Sequence, residues 1–254
     1  MYRNTQCLMQ AHKGVSTEAP ENTMPAYRLA VEQGYDLMEA DPKFTKDNIC
    51  VMLHDKTLNR TARLNGQELT EEVAVADLTY RQLADYDVGI WKGEAYRGVK
   101  IPRLRELLTL GKDTGLAIKI DNVMERFTLE QQKILFEEVR DFGGDVGITG
   151  AHLDFLARVA KALPKATIHY DGPVDEESLN ALDEIAQGHK LFIWARYENK
   201  KTAWNKNRPV DEELAAMIKK HGKLGVWILS MEEEMTRAIA LGADVVETNG
   251  EIKP

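Results

Sequence analysis

Short apolar runs alternate with amphipathic stretches along the whole chain, and this alternation limits the possible folds more than any other feature. Strand-like runs stand at 6–12, 35–41, 49–54, 116–121, 145–149, 166–170, 191–195, 224–229 and 244–248. Helical patterns stand at 23–33, 103–112, 128–140, 152–162, 175–187, 210–221 and 231–241. Repeated strand–helix units fold as a parallel sheet with right-handed crossovers. A Rossmann sheet needs a Gly-rich turn such as G-x-G-x-x-G after its first strand, and this sequence has none there. About eight units in 254 residues fit an α/β chain closed as a (β/α)8 TIM-type barrel. Nine runs are one too many. The runs 35–41 and 49–54 are joined by Thr45-Lys46-Asp47-Asn48, too short for a helix, so one of the nine is expected to be a hairpin partner or a terminal extra. Residues 55–101 break the rhythm and read as a small insertion after the third strand of a single barrel domain spanning 1–254. In a barrel, an insert following a strand's C-terminal end lies over the active-site face.

Composition narrows the function. With 33 Lys+Arg against 41 Asp+Glu the net charge is −8, which argues against a nucleic-acid partner, because neutralising phosphates needs a basic excess. No apolar run approaches the ~20 residues that span a bilayer, and the N-terminus has no signal-like apolar segment. Cys7 and Cys50 make no disulfide framework and read as small core residues. The expectation is a cytoplasmic enzyme or binding protein for a small molecule, of open oligomeric state.

Barrel strands are buried on both faces, so a charged residue inside one needs a reason. In 35–41, alternation puts Leu37, Glu39 and Asp41 on one face. Two carboxylates side by side repel unless a proton or cation lies between them, and hard oxygen donors at i and i+2 suit Mg²⁺ or Ca²⁺. A salt-bridged or solvated strand end is the other reading. His12 closes the first strand and His54-Asp55 the third, and imidazoles carry protons near neutral pH. In 116–121, Leu116, Ile118 and Ile120 form a helix-facing set, which leaves Ala117, Lys119 and Asp121 on the barrel interior. His169 reads as a satisfied core residue. The stretch Trp194 to Tyr197, with Lys200, Lys201 and Trp204 beyond it, reads as a loop near a pocket mouth. Trp227 reads equally as pocket lining or as core.

These residues are specific enough to carry a family resemblance. The chain resembles the glycerophosphodiester phosphodiesterases. Ala11-His12-Lys13-Gly14 is similar to the family's A-H-R-G, and Ala19-Pro20-Glu21-Asn22-Thr23 matches its A-P-E-N-T. Glu39-Ala40-Asp41 matches E-x-D, Thr45-Lys46-Asp47 matches T-K-D, and His54-Asp55 matches H-D. Thr57 to Thr61 matches T-L-x-R-T, Ile101-Pro102-Arg103-Leu104 is similar to I-P-T-L, and Leu241 to Asn249 is similar to the final G-V-D-x-I-x-T-D strand. The match is dense over 11–121 and thin from 122 to 223.

The resemblance implies a TIM-type barrel and a phosphoric diester hydrolase that releases glycerol 3-phosphate and an alcohol. It implies a divalent metal, Mg²⁺ or Ca²⁺, held partly by Glu39 and Asp41, with His12 and His54 as the acid/base pair. Glu21 and Asn22 are expected to hold the first loop, with Asp55 beside His54, and Lys13, Lys119 and Trp227 to meet the substrate. Two other readings remain open: an inactive barrel that binds a phosphorylated ligand, and a lysophospholipase-D- or sphingomyelinase-D-like phosphodiesterase.

Two positions depart from the family. Lys13 replaces an arginine and loses its planar two-pronged grip on phosphate. Lys119-Ile120-Asp121 reverses the family's E-x-K, in which the glutamate is a metal ligand. Either Asp121 completes the metal site while Lys119 reaches phosphate, or the Lys119 ammonium takes the metal's place between Glu39 and Asp41. The first is the expectation, because the second leaves negative charge at the mouth that would repel an anionic phosphate.

Overall fold

A computed structural model describes residues 7–197 and 208–254, so Lys200, Lys201 and Trp204 lie outside the described residues. In chain order the strands begin with β1 (Leu8–Ala11), β2 (Leu37–Ala40), β3 (Pro42–Phe44), β4 (Cys50–Met52), β5 (Arg63–Leu64) and β6 (Tyr86–Asp87). They continue with β7 (Ala117–Ile120), β8 (Val146–Gly150), β9 (Thr167–Tyr170), β10 (Leu191–Arg196), β11 (Lys223–Leu229) and β12 (Val245–Thr248). Eight of them close a parallel barrel in the order β1-β12-β11-β10-β9-β8-β7-β2. The run 49–54 is not among these eight. Its β4 pairs antiparallel with β3, which continues directly from β2, and the left-handed Asn48 (φ 56°) completes the turn between them.

The helices are α1 (Met24–Glu32), α2 (Tyr80–Leu83), α3 (Leu104–Thr114), α4 (Leu129–Phe142), α5 (Leu153–Ala162), α6 (Glu176–Ile185), α7 (Glu212–Ile218) and α8 (Glu232–Ala240). All but the one-turn α2 ring the barrel between its strands. Local chemistry sets their ends. Thr128 Oγ1 accepts from the Gln131 N–H at 3.2 Å while Gln131 Oε1 accepts from the Thr128 N–H at 3.1 Å, a reciprocal cap that opens α4. Gly115, at φ 75°, closes α3 in the left-handed conformation. No helix among the described residues is long and apolar enough to cross a membrane.

Alternation along each strand splits the core. Met38, Ile118, Ile120 and Ile148 face outward into the main apolar layer under the helices. Leu37, Phe192, Trp194 and Val245 face inward and plug the bottom of the barrel. Room for that plug comes from missing side chains: a Cβ on Gly225 would lie 2.5 Å from the Trp194 ring, and one on Gly147 would lie 2.2 Å from His169 Nε2. His169 accepts from Trp194 Nε1–H at 2.9 Å and stacks on Phe192 at 5.1 Å. Burial, reinforced by Lys119, pushes its pKa well below the usual histidine value, so it is a neutral core residue as its strand position suggested. Both cysteines are free and buried, and burial pushes the Cys7 thiol up to about 12.

Between β4 and α3 the chain packs its own cluster, including Leu58, Val75, Leu83, Val88 and Ile101. This segment docks on the loop after β1, where Lys92 Nζ donates to Ser16 O at 2.8 Å and Tyr96 Oη to Glu18 O at 2.7 Å.

Candidate active site

The C-terminal ends of the barrel strands open into a pocket of about 560 Å³. His12, Glu39, Asp41, His54, Asp55 and Asp121 line it, together with Lys119 and Trp227. Lys13, Glu21 and Asn22 stand behind this wall and support it. The Lys13 backbone N–H donates to Glu39 Oε2 at 2.8 Å. Asn22 Nδ2 donates to Asp41 Oδ2 at 2.7 Å, while Asn22 Oδ1 accepts from the Asp41 N–H at 3.0 Å and from Tyr27 Oη at 2.8 Å. Both Lys13 (φ 60°) and Asn22 (φ 56°) adopt the left-handed backbone that turns the loop tightly enough to reach β2.

Each pocket histidine is held through Nδ1. His12 Nδ1 lies 2.7 Å from Asn249 Oδ1. An amide oxygen only accepts, so Nδ1 carries the hydrogen and Nε2 is left for other partners. That Nε2 stands 4.0 Å from Glu39 Oε2 and 4.0 Å from Glu247 Oε1. His54 Nδ1 lies 2.7 Å from Asp55 Oδ1, and Asp55 Oδ2 accepts from Arg60 Nε at 2.6 Å. Arg60 also grips both Glu21 oxygens, at 2.7 and 2.8 Å, which ties the A-P-E-N-T loop to the H-D turn. Burial raises the Asp55 carboxyl, but the bonds from Arg60 and His54 outweigh it and bring its pKa down to about 2.

Negative charge is concentrated inside the mouth. Glu39 is buried beside Asp41, Glu247 and Asp121, and burial followed by those charges pushes its pKa well above the usual carboxylate value despite Lys119. Burial also raises Asp41, but His54, Lys13 and the Asn22 hydrogen bond more than reverse it and hold its carboxyl below the usual value.

Lys119 departs from both arrangements read in the sequence. Its Nζ donates to Asp121 Oδ2 at 2.5 Å, lies 3.5 Å from Glu247 Oε2 and sits 4.0 Å from the centre of the Trp194 ring. The ammonium thus pairs with Asp121 and Glu247 on the inner wall of the pocket rather than standing between Glu39 and Asp41. Burial would lower its pKa, yet Asp121, Glu247 and Glu39 raise it instead, so it stays charged. Asp121 spends its other oxygen on the Asn122 N–H at 2.6 Å. Lys13 Nζ faces Glu21 Oε1 at 3.6 Å, behind the lining. Trp227 does both things read for it, packing on the interior plug while lining the pocket, with an indole N–H that has no hydrogen-bond partner among the described residues.

Several pocket residues were missed in the sequence. Glu247 stands in the middle of β12, and a charge there is as anomalous as Lys119 in β7, so the same signal was present. Its Oε2 accepts from Gln10 Nε2. Asn122, left-handed at φ 82°, donates Nδ2 to Asp41 Oδ1 at 2.8 Å and to His54 O at 3.2 Å. Asn249 holds His12. Lys43, in the centre of β3, also lines the pocket, and burial lowers its pKa against the pull of Asp41 and Asp55. Nothing local in the sequence distinguishes Asn122, Asn249 or Lys43 from turn and surface residues.

The family resemblance implies a divalent cation, and the donors present can be compared with that. Among the described residues no three His, Cys, Asp or Glu side chains close into a ready cage. Glu39 and Asp41 nevertheless present adjacent hard oxygens to the pocket, in a cluster with Glu247 and Asp121 around the Lys119 ammonium. Mg²⁺ is commonly held by one or two carboxylates with waters and substrate phosphate completing the shell. The donor set fits such an open site, and a cation there would relieve the repulsion that raises Glu39.

Comparison with known proteins agrees with this geometry. The sequence profile of the Glycerophosphoryl diester phosphodiesterase family matches residues 12–250. A Bacillus subtilis glycerophosphodiester phosphodiesterase is 34% identical over 263 residues, covering 95% of this chain and 83% of its own. The glycerophosphodiester phosphodiesterase of Caldanaerobacter subterraneus is 29% identical over 249 residues, covering 95% and 93%. Among solved structures, an Oleispira antarctica phosphodiesterase in complex with the product sn-glycerol-3-phosphate superposes with a TM-score of 0.76 at 20% identity, over 97% of this chain and 94% of that one. With the family profile spanning nearly the whole barrel and its paired histidines and E-x-D carboxylates meeting in one pocket, the chain belongs to the glycerophosphoryl diester phosphodiesterase family and is a phosphoric diester hydrolase.

Proposed function

We propose that this enzyme hydrolyses glycerophosphodiesters to glycerol 3-phosphate and an alcohol, using His12 and His54 as its acid/base pair and a divalent cation, Mg²⁺ or Ca²⁺, held by Glu39 and Asp41 with Asp121 beside them. The observation that carries this reading is the meeting of two histidines, each anchored through Nδ1, with the Glu39–Asp41 pair in one pocket. Cleavage of a phosphodiester needs charge relief on the non-bridging oxygens, removal of a proton from the nucleophile and delivery of a proton to the leaving oxygen. A divalent ion supplies the first of these when bound. The two imidazoles divide the two proton transfers, and both rings keep Nε2 for the reaction because Nδ1 is engaged.

The residues behind the wall set orientation. Asn249 fixes the His12 ring. Asp55, kept ionised by Arg60, fixes His54 through Nδ1. Asn22 and Asn122 point Asp41, and the Lys13 backbone points Glu39. The test is release of glycerol 3-phosphate from glycerophosphocholine, with EDTA and with Mg²⁺ or Ca²⁺ restored. Metal-dependent release is the expected result. Retained phosphate binding without any turnover would overturn the reading in favour of an inactive barrel.

A further inference from the structure

We propose that Lys43 is the residue whose ammonium grips a non-bridging phosphoryl oxygen of the substrate, an inference that rests on the phosphodiesterase reading above. An anionic diester entering a pocket rich in carboxylates needs a cation with donors to spare. The cations singled out by the sequence do not offer one. Lys119 is already paired with two carboxylates, Asp121 and Glu247, Lys13 faces Glu21 outside the lining, and Arg60 is spent on Glu21 and Asp55.

Lys43 differs from all three. It lines the pocket, yet is only 8% exposed. The hydrogen bond recorded for its Nζ is a 3.2 Å donation to the neighbouring Pro42 O. An ammonium has three N–H donors, so two remain to be given. Among the described residues no carboxylate pairs with it directly, so Asp41 and Asp55 attract it only at longer range and its burial is poorly compensated. Its position is not left to side-chain freedom. Lys43 stands opposite Val51 in the β3–β4 ladder, whose first residue follows Asp41 directly, so the strand that presents the metal-facing carboxylate also presents the ammonium. Lys56 and Arg126 reach the same pocket but from exposed positions, where water screens their charge.

The test compares wild type with Lys43→Met, which keeps the unbranched stem and removes the charge. Three quantities are read on the metal-loaded protein: kcat/KM for glycerophosphocholine, inhibition by inorganic phosphate, and Tm. For a lost charge-assisted contact to the reacting phosphoryl group, kcat/KM is expected to fall about 10²-fold or more, phosphate inhibition to weaken about tenfold or more, and Tm to hold or rise. Lys43→Arg should recover part of the phosphate inhibition. A kcat/KM within threefold of wild type overturns the proposal. So does unchanged phosphate inhibition alongside lost activity, which would place Lys43 on the alcohol side, and so does a Tm that falls in step with activity, which would make it structural. Wild-type protein that releases no glycerol 3-phosphate overturns the phosphodiesterase reading itself, and is seen before any variant is made.

Discussion

Lys119 on β7 and Glu247 on β12 meet inside the barrel with 3.5 Å between Nζ and Oε2, although their strands share no hydrogen bonds. Asp121 holds the same ammonium, and the pair's side chains are only 4% and 6% exposed. Removing one side of a buried ion pair typically costs about 3–5 kcal/mol, because the charge left behind has no water to turn to. Lys119→Met strands two carboxylates and is expected to approach that cost. Glu247→Gln should cost less, since Lys119 keeps Asp121. Urea denaturation of both variants checks the ordering, and a larger loss in Glu247→Gln would contradict it.

His12→Ala and His54→Ala should each lower kcat by roughly 10²–10⁴-fold, the usual contribution of a positioned acid or base. Far-UV circular dichroism should not change, because the His54 side chain is nearly half exposed and His12 bonds to a loop side chain, Asn249, rather than to a helix or strand backbone. Either variant retaining more than half the wild-type rate would remove that histidine from the proton transfers.

Metal binding should depend unequally on the three carboxylates. Titration calorimetry with Mg²⁺ or Ca²⁺ is expected to show binding to wild type and its loss in Glu39→Gln. Asp121→Asn should weaken binding by a smaller factor, because both of its oxygens are already engaged, by Lys119 and by the Asn122 N–H. Stronger dependence on Asp121 than on Glu39 would place the ion nearer β7 than the geometry suggests.

Acid should loosen the clasp around His54. The Asp55 carboxyl has a folded pKa of about 2, below its ordinary value of about 4. A depressed carboxyl favours folding above its unfolded pKa, and that contribution disappears as pH falls through the folded one. The window is therefore about pH 4 down to about pH 2. Urea midpoints taken across this range should fall more steeply for wild type than for Asp55→Asn. Parallel curves would show that the Arg60–Asp55 pair contributes nothing to stability.

The local part of this protein was legible along the chain. Period alone placed a helix at 152–162 against the observed Leu153–Ala162, because helix formation depends on neighbours three and four residues away. Strand alternation put Glu39 and Lys119 inside the barrel, because a strand in a closed parallel sheet has one inward face. The count of nine runs and the short Thr45–Asn48 connection flagged the 35–41 and 49–54 pair as irregular but not which run leaves the barrel. That was decided when β3 and β4 paired across the Thr45–Asn48 turn and left β7 as the neighbour of β2.

What only tertiary structure decided is partnership across the barrel. The alternation that exposes Lys119 to the interior says nothing about which carboxylate stands opposite, and the sequence pattern pointed it at Glu39, Asp41 or phosphate rather than at Glu247. His12 likewise finds Asn249 at a separation of 237 positions. Such contacts come from closure of the last strand onto the first. A residue's own neighbours determine which face it occupies, whereas the register and stagger of eight strands together determine what it meets there.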